Sequence, residues 1–183
     1  MSIWFCSDLH LGHDKEFIWG SRGFGSVDEM NRKIIENINE VVQPEDELYI
    51  LGDLILGNIE EGKKLLRRIP GKVHVILGNH DSAAKIAYYE SLGWDCQWGL
   101  MTKIGGYTVL LSHWPTLTSN FDLKPLKREV INLHGHTHQM CNFTSNEYCM
   151  YHVGMDSHNC HPVLFEDIID DIIKDRRKEK KPV

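Results

Sequence analysis

The residues able to do chemistry fall into five short groups. They are Asp8-x-His10, Gly52-Asp53, Gly78-Asn79-His80-Asp81, His113 and Gly135-His136-x-His138. Imidazoles and carboxylates are the ordinary ligands of divalent transition metals, and a neutral Asn oxygen adds a ligand without adding charge. Each group follows a short apolar, strand-like run: Ile3–Ser7, Glu47–Leu51, Val73–Leu77, Val109–Ser112 and Ile131–Leu133. Open α/β sheets bind ligands at the carboxyl ends of their strands, so the chain delivers these groups to one edge. In extended backbone, residues i and i+2 point the same way. Asp8 with His10, and His136 with His138, can then each offer two groups to one site. Taken singly, an Asp after a strand is a turn residue and a His is a surface or core residue. Five groups in order, each closing a strand, argue for a shared site.

The elements that must position them alternate between strand and helix, which predicts an α/β organisation. Ser26 with Glu29 reads as a capping box opening a helix with Val27, Met30, Ile34, Ile38 and Val41 on one face. Asn58 opens a short helix carrying Leu65 and Leu66. Ser82 opens another through Tyr89, closed by Gly93. The second half is richer in β: Gln97–Ile104 and Tyr107–Ser112 flank Gly105-Gly106 as a hairpin, with strands expected at Tyr148–Val153 and Val163-Leu164. A last helix carries Phe165, Ile168, Ile169, Ile172 and Ile173. One domain over residues 1–175 is expected, with a basic, solvated tail at 176–183.

Composition narrows the function. The chain has 183 residues, 42% hydrophobic and 25% charged, with a formal charge of −6. That is an ordinary globular composition, and the acidic balance argues against a general nucleic-acid binder. No apolar run is long enough to span a bilayer and no signal peptide is read at the start, so no membrane partner is expected. Five cysteines without a C-x-x-C pair favour reduced thiols and a cytoplasmic location over a disulfide framework. A Cys141–Cys149 pairing across a hairpin is the alternative. Eleven histidines are the unusual count, in the residue that most often binds metal and carries protons near neutral pH.

The ordered set from Asp8-x-His10 to Gly135-His136-x-His138 resembles the calcineurin-like metallophosphoesterase superfamily. Ser7-Asp8-Leu9-His10-Leu11-Gly12-His13, Arg22-Gly23-Phe24 and Val153-Gly154-Met155-Asp156 are similar to its small single-domain bacterial and phage phosphoesterases. The resemblance implies a four-layer α/β/β/α sandwich of two mixed sheets flanked by helices. It also implies a dinuclear metal site, with manganese, iron, nickel or zinc as the candidate ions. Asp53 would bridge both ions, Asp8, His10 and His138 would complete one, and Asn79, His113 and His136 the other. Such a pair generates hydroxide at neutral pH and clamps phosphate oxygens. His80, next to a ligand but not assigned as one, is the candidate general acid, and Asp81 is expected to orient it. His13 and Arg22 are candidate phosphate contacts, Arg22 as a fork. Trp114 is read either as a base-stacking residue or as core. His152 stands where similar proteins often carry Asn. His134 reads as structural, and His74, His158 and His161 carry no assigned role.

The implied function is hydrolysis of small phosphodiesters or phosphomonoesters, nucleotides among them. A metal-dependent nuclease and a catalytically inactive scaffold are the alternatives. The small acidic chain argues against the first, and the intact His80 and ligand set against the second. A structural zinc protein fits least, because no Cys belongs to the set.

Overall fold

The computed structural model describes residues 1–118, 125–145 and 149–179, with residues 178 and 179 described by backbone alone. The strands form two five-stranded mixed sheets. In the first, β1 (Ile3–Cys6), β2 (Glu47–Ile50), β3 (Lys72–Ile76) and β4 (Asp95–Gln97) run parallel, and β10 (Val163–Leu164) closes the edge antiparallel to β1. The second has the order β5-β6-β7-β9-β8. There β6 (Tyr107–Leu111), β7 (Val130–His134) and β9 (Met150–His152) are parallel, and β5 (Leu100–Ile104) and β8 (Phe143–Ser145) are antiparallel edges.

Strand alternation divides the core in two. Cys6, Leu48, Ile50, Val73 and Val75 face helices α2 (Val27–Val41), α3 (Ile59–Leu66) and α4 (Ala83–Ser91). Their neighbours Phe5, Tyr49 and Ile76 face the second sheet, where they meet Val109, Leu111, Ile131, Leu133 and Tyr151. Helix α5 (Phe165–Glu179) lays Phe165, Ile168, Ile169 and Ile172 into this second cluster. Each such buried side chain contributes about 2 kcal/mol. This is the layered α/β architecture that the resemblance implied.

Helix α2 begins where Ser26 predicts. Its hydroxyl accepts from the Glu29 N–H (3.2 Å), but the Glu29 carboxylate reaches back to the N–H of Gly25, not of Ser26. Asn31, buried on the same helix, accepts from the Gly12 N–H (3.1 Å) and ties α2 to the loop after β1. Ser82 takes the N-cap position of α4 without a side-chain cap bond.

Several elements differ from expectation. The run Gln97–Ile104 is two strands in two sheets: β4 ends at Gln97 beside β3, and the chain crosses through Trp98-Gly99 to open β5. The Gly105-Gly106 turn does join β5 to β6, with both glycines at positive φ. Strand β9 begins at Met150, and Tyr148 lies outside the described residues. A one-turn helix α1 (Glu16–Trp19) and strand β8 are additional. Helix α5 runs on through Glu179, and Arg176 pairs with the buried Glu129. All five cysteines are free; Cys141 is exposed and Cys149 buried, so they do not pair.

Candidate metal centre

The two sheets are sewn together at one point. Ser7, just beyond β1, bridges in parallel to Gly154, just beyond β9, and Met155 N–H donates to the Ser7 carbonyl (3.1 Å). Six of the seven parallel strands, β1, β2, β3, β6, β7 and β9, end around this seam. Asp8 and His10 leave β1, Asp53 leaves β2, and Asn79, His80 and Asp81 leave β3. His113 leaves β6, His136 and His138 leave β7, and Asp156 leaves β9.

These residues do not converge through extended backbone, as the i, i+2 spacing suggested. Asp8 (φ 56°), His10 (49°), Asp53 (56°), His136 (69°) and His138 (48°) all adopt the left-handed conformation. Each costs on the order of 1 kcal/mol, less for Asp and His than for branched side chains. The chain leaves its extended path at the strand ends, and the left-handed residues re-aim the side chains. Two glycines make room. Gly52 has φ 89°, and a Cβ on Gly135 would stand 2.3 Å from both Asp8 Oδ2 and Ser7 Oγ.

The polar atoms meet as acceptors facing acceptors. Nε2 of His10 and of His138 lie 3.1 Å apart, each 3.8 Å from Asp8 Oδ1, which is buried without a hydrogen-bond partner. His138 Nδ1 lies 3.0 Å from Asp156 Oδ2, and His113 Nδ1 lies 2.8 Å from the Leu51 carbonyl. Those two oxygens only accept, so each ring carries its proton on Nδ1 and leaves a lone pair on Nε2. The His113 lone pair then points toward Asn79 Oδ1 (2.9 Å) and His136 Nδ1 (3.2 Å). Asp53 Oδ2 spans the two halves, 3.9 Å from His10 Nε2 and 3.6 Å from His113 Nε2. Ligand atoms of Asp8, His10 and His138, and again of Asp8, Asp53 and His113, gather within 4.8 Å. Converging lone pairs with too few donors are what divalent cations satisfy, and a nitrogen and oxygen set suits manganese, iron, nickel or zinc.

Electrostatics point the same way. Burial raises the Asp8 carboxyl above its ordinary range, against the pull of His113 and His138. His10 is pushed down to about 2, by burial first and then by His138 and Arg22. Burial and His113 lower His136. His138 moves oppositely: burial opposes its charge, but the hydrogen bond to Asp156 and the nearby Asp8 carboxylate raise it.

Asp81 differs from expectation. Its Oδ2 accepts from the backbone N–H groups of Asp53 (3.0 Å) and Gly78 (2.9 Å), and its Oδ1 from the Tyr89 hydroxyl (2.9 Å). Among the described residues no hydrogen bond joins it to the His80 ring, so it fixes Asp53 and the β3 loop. His80 is held by its backbone instead. Its N–H donates to Asp53 Oδ1 (3.0 Å), and its carbonyl accepts from the buried Lys85 ammonium (2.6 Å). The His80 side chain is 45% exposed, with Nε2 3.9 Å from Asp53 Oδ2.

Arg22 differs too. Its side chain is 1% exposed and its fork closes on Asp156 (both bonds 3.0 Å) and on the Asp8 carbonyl (2.8 Å). The fork read as a phosphate contact is thus occupied by protein. Asp156, which had no role in the sequence reading, links Arg22 to His138. Burial works against its charge, and the bonds from His138 and Arg22 still hold its carboxyl well below the usual range.

His13 sits at the mouth of the site, its ring 5.5 Å from that of His10, and burial lowers it. Trp114 is half exposed and stands edge-on to His113 (5.1 Å), so it belongs to the site wall and not to the core. His134 and His152 form a buried pair behind the site, with ring centroids 5.5 Å apart. His74 stacks on Tyr49, His158 holds the His152 carbonyl, and His161 lies beside Asn37.

Fold and site together define a layered α/β protein with a candidate metal centre at the strand ends. The calcineurin-like phosphoesterase model matches residues 1–183, and the chain belongs to that family of metal-dependent phosphoric ester hydrolases. It is 34% identical to an uncharacterized protein of Methanocaldococcus jannaschii over 66% of this chain and 64% of that protein. It is 32% identical to the Gene 66 protein of a Mycobacterium phage over 95% of this chain and 96% of the phage protein. Among solved structures, a protein of unknown function from Aquifex aeolicus shares the fold with a TM-score of 0.69 and 22% identity, covering 93% and 98% of the two chains. A structure described as a novel archaeal phosphodiesterase matches with a TM-score of 0.50 and 15% identity over 84% of each chain.

Proposed function

We propose that the chain hydrolyses small phosphodiesters or phosphomonoesters with two divalent cations. Asp53 would be shared between them, Asp8, His10 and His138 would hold one, and Asn79, His113 and His136 the other. The observation that carries this reading is the buried, unpartnered Asp8 Oδ1 facing the Nε2 atoms of His10 and His138. When bound, such a pair of cations supplies Lewis acidity and an activated water near neutral pH. A water oxygen bonds to phosphorus and its proton passes to solvent as the bond from phosphorus to the leaving oxygen breaks. His80 Nε2 gives the leaving oxygen its proton. His80 suits this because its backbone is fixed to Asp53 and Lys85 while its ring stays half exposed. Asp81 keeps Asp53 in place, and Arg22 with Asp156 keeps His138 in place. No helix among the described residues is long and apolar enough to cross a membrane, and the free cysteines support a reducing cytoplasm as the setting.

Elemental analysis and kinetics of two variants test the division of roles. His80→Ala should keep two ions per chain and lose about two to four orders of magnitude on alkyl esters, the range for removing a general acid. Nitrophenyl esters should suffer less, because their leaving anion needs little protonation. Asp53→Ala should lose metal and all activity together. Loss of metal from His80→Ala would make His80 a ligand and sink the assignment.

A further inference from the structure

A groove of about 640 Å³ opens directly off the site, a volume that fits a small organic ligand. His10, His138 and His80 form its floor on the side of the proposed ions. Its walls are largely apolar, with Phe17 and Ile18 from α1, Leu56 after β2 and Met140 after the His138 turn, beside the polar His13, Ser21 and Asp156. Phe17 and Met140 are 70% and 67% exposed. A single exposed apolar side chain is unremarkable. Two large ones lining one cleft beside a cluster of polar groups form a binding surface.

The charge of the groove is as informative as its shape. No lysine or arginine is among its described lining residues. Asp156 at the groove's edge is paired with the buried Arg22 guanidinium, so the two charges are spent on each other. Beyond the proposed ions and the His13 and His80 rings, a second phosphate or a polynucleotide backbone would find no lysine or arginine among the described lining residues. A flat apolar group would cover Phe17 and Met140. Since His80 lies in the groove, the half of the substrate lodged there is the half that leaves.

We propose that this groove seats the leaving alcohol of the phosphoester, and that this alcohol is an uncharged aromatic or other flat apolar group bearing no second phosphate. The inference rests on the phosphoesterase reading above and specifies its substrate class.

The test uses methyl phosphodiesters of two alcohols of similar acidity, ethanol and 2-naphthylmethanol, with manganese-loaded protein. The wild type should favour the naphthylmethyl ester by at least about tenfold in kcat/KM, mostly through KM, as burial of an aromatic ring predicts. In the double variant Phe17→Ala/Met140→Ala that ratio should fall to about one. Phe17→Trp/Met140→Leu should keep it, since both stay large and apolar. A 2-phosphoethyl ester should be turned over more slowly than the ethyl ester. Equal turnover of the ethyl and naphthylmethyl esters by the wild type, or an undiminished preference in the double alanine variant, would overturn the proposal. Calorimetry with non-hydrolysable naphthylmethyl phosphonate reads the groove independently. Binding that is lost in the double alanine variant supports the groove even if no ester is hydrolysed, which would count against the phosphoesterase reading alone. Absence of binding to the wild type counts against the groove.

Discussion

At the scale of the residue, Asp81 shows how a site can be supported without touching its substrate. One carboxylate fixes two backbone N–H groups, those of Asp53 and Gly78, and a tyrosine hydroxyl. Asp81→Ala leaves the two buried donors without an acceptor, at about 1–3 kcal/mol each. It should also weaken metal binding by about 10- to 100-fold, as the loss of a group that orients a ligand does. Chemical denaturation and metal titration measure the two effects. An Asp81 that served only to orient His80 would instead keep its metals and discriminate between alkyl and nitrophenyl esters as His80→Ala does. The identities of the clustered residues were legible in the sequence because a short apolar run followed by Asp, Asn or His marks a strand end. The partners that hold them were not. Arg22 and Asp156 meet from loops 134 residues apart, and no local pattern signals such a pairing.

The element that matters most is the turn at each strand end. Five ligand-type residues in left-handed backbone crowd their side chains into one space, so neighbouring positions must be nearly empty. Gly135→Ala would push a methyl group against Asp8 Oδ2 and Ser7 Oγ, which stand 2.3 Å from its ideal position. The variant should keep its secondary structure by circular dichroism yet bind its ions at least about tenfold more weakly, as a displaced ligand implies. A metal affinity equal to wild type would show that the loop absorbs the methyl group. The long helices were legible from their 3.6-residue stripes and caps. The division of Gln97–Ile104 between two sheets was not, because period-2 alternation says that a segment is extended without saying which sheet it joins. Helix α1 and strand β8, four and three residues long, are too short to carry a period.

For the whole molecule, the buried histidines set a pH dependence. Burial pushes His134 down to about 4 and His152 down to about 3, and neither belongs to the proposed ligand set. Both folded values lie below the unfolded value near 6.5. The unfolded chain therefore takes up protons first as pH falls, and stability is lost progressively below about pH 6.5, down through about 4 for His134 and about 3 for His152. Each contributes up to about 1.4 kcal/mol per pH unit across its window. Thermal unfolding of metal-free protein should show a midpoint that falls steadily from pH 7 to pH 4. In His152→Asn the slope should be shallower. A flat profile in the wild type would mean that these rings are protonated, or reach water, in the folded state.

The bridge between Ser7 and Gly154 also has a meaning in time. Ser7 and Asp8 leave the ribosome on the order of ten seconds before the residues that complete their surroundings. Asp8, His10, Asp53 and Asn79 come from one sheet, and His113, His136 and His138 from the other. A nascent chain therefore holds only half of this residue cluster until the second sheet docks and residue 154 finds residue 7. A chain truncated before residue 154 therefore lacks the bridge that joins the two halves of the proposed site.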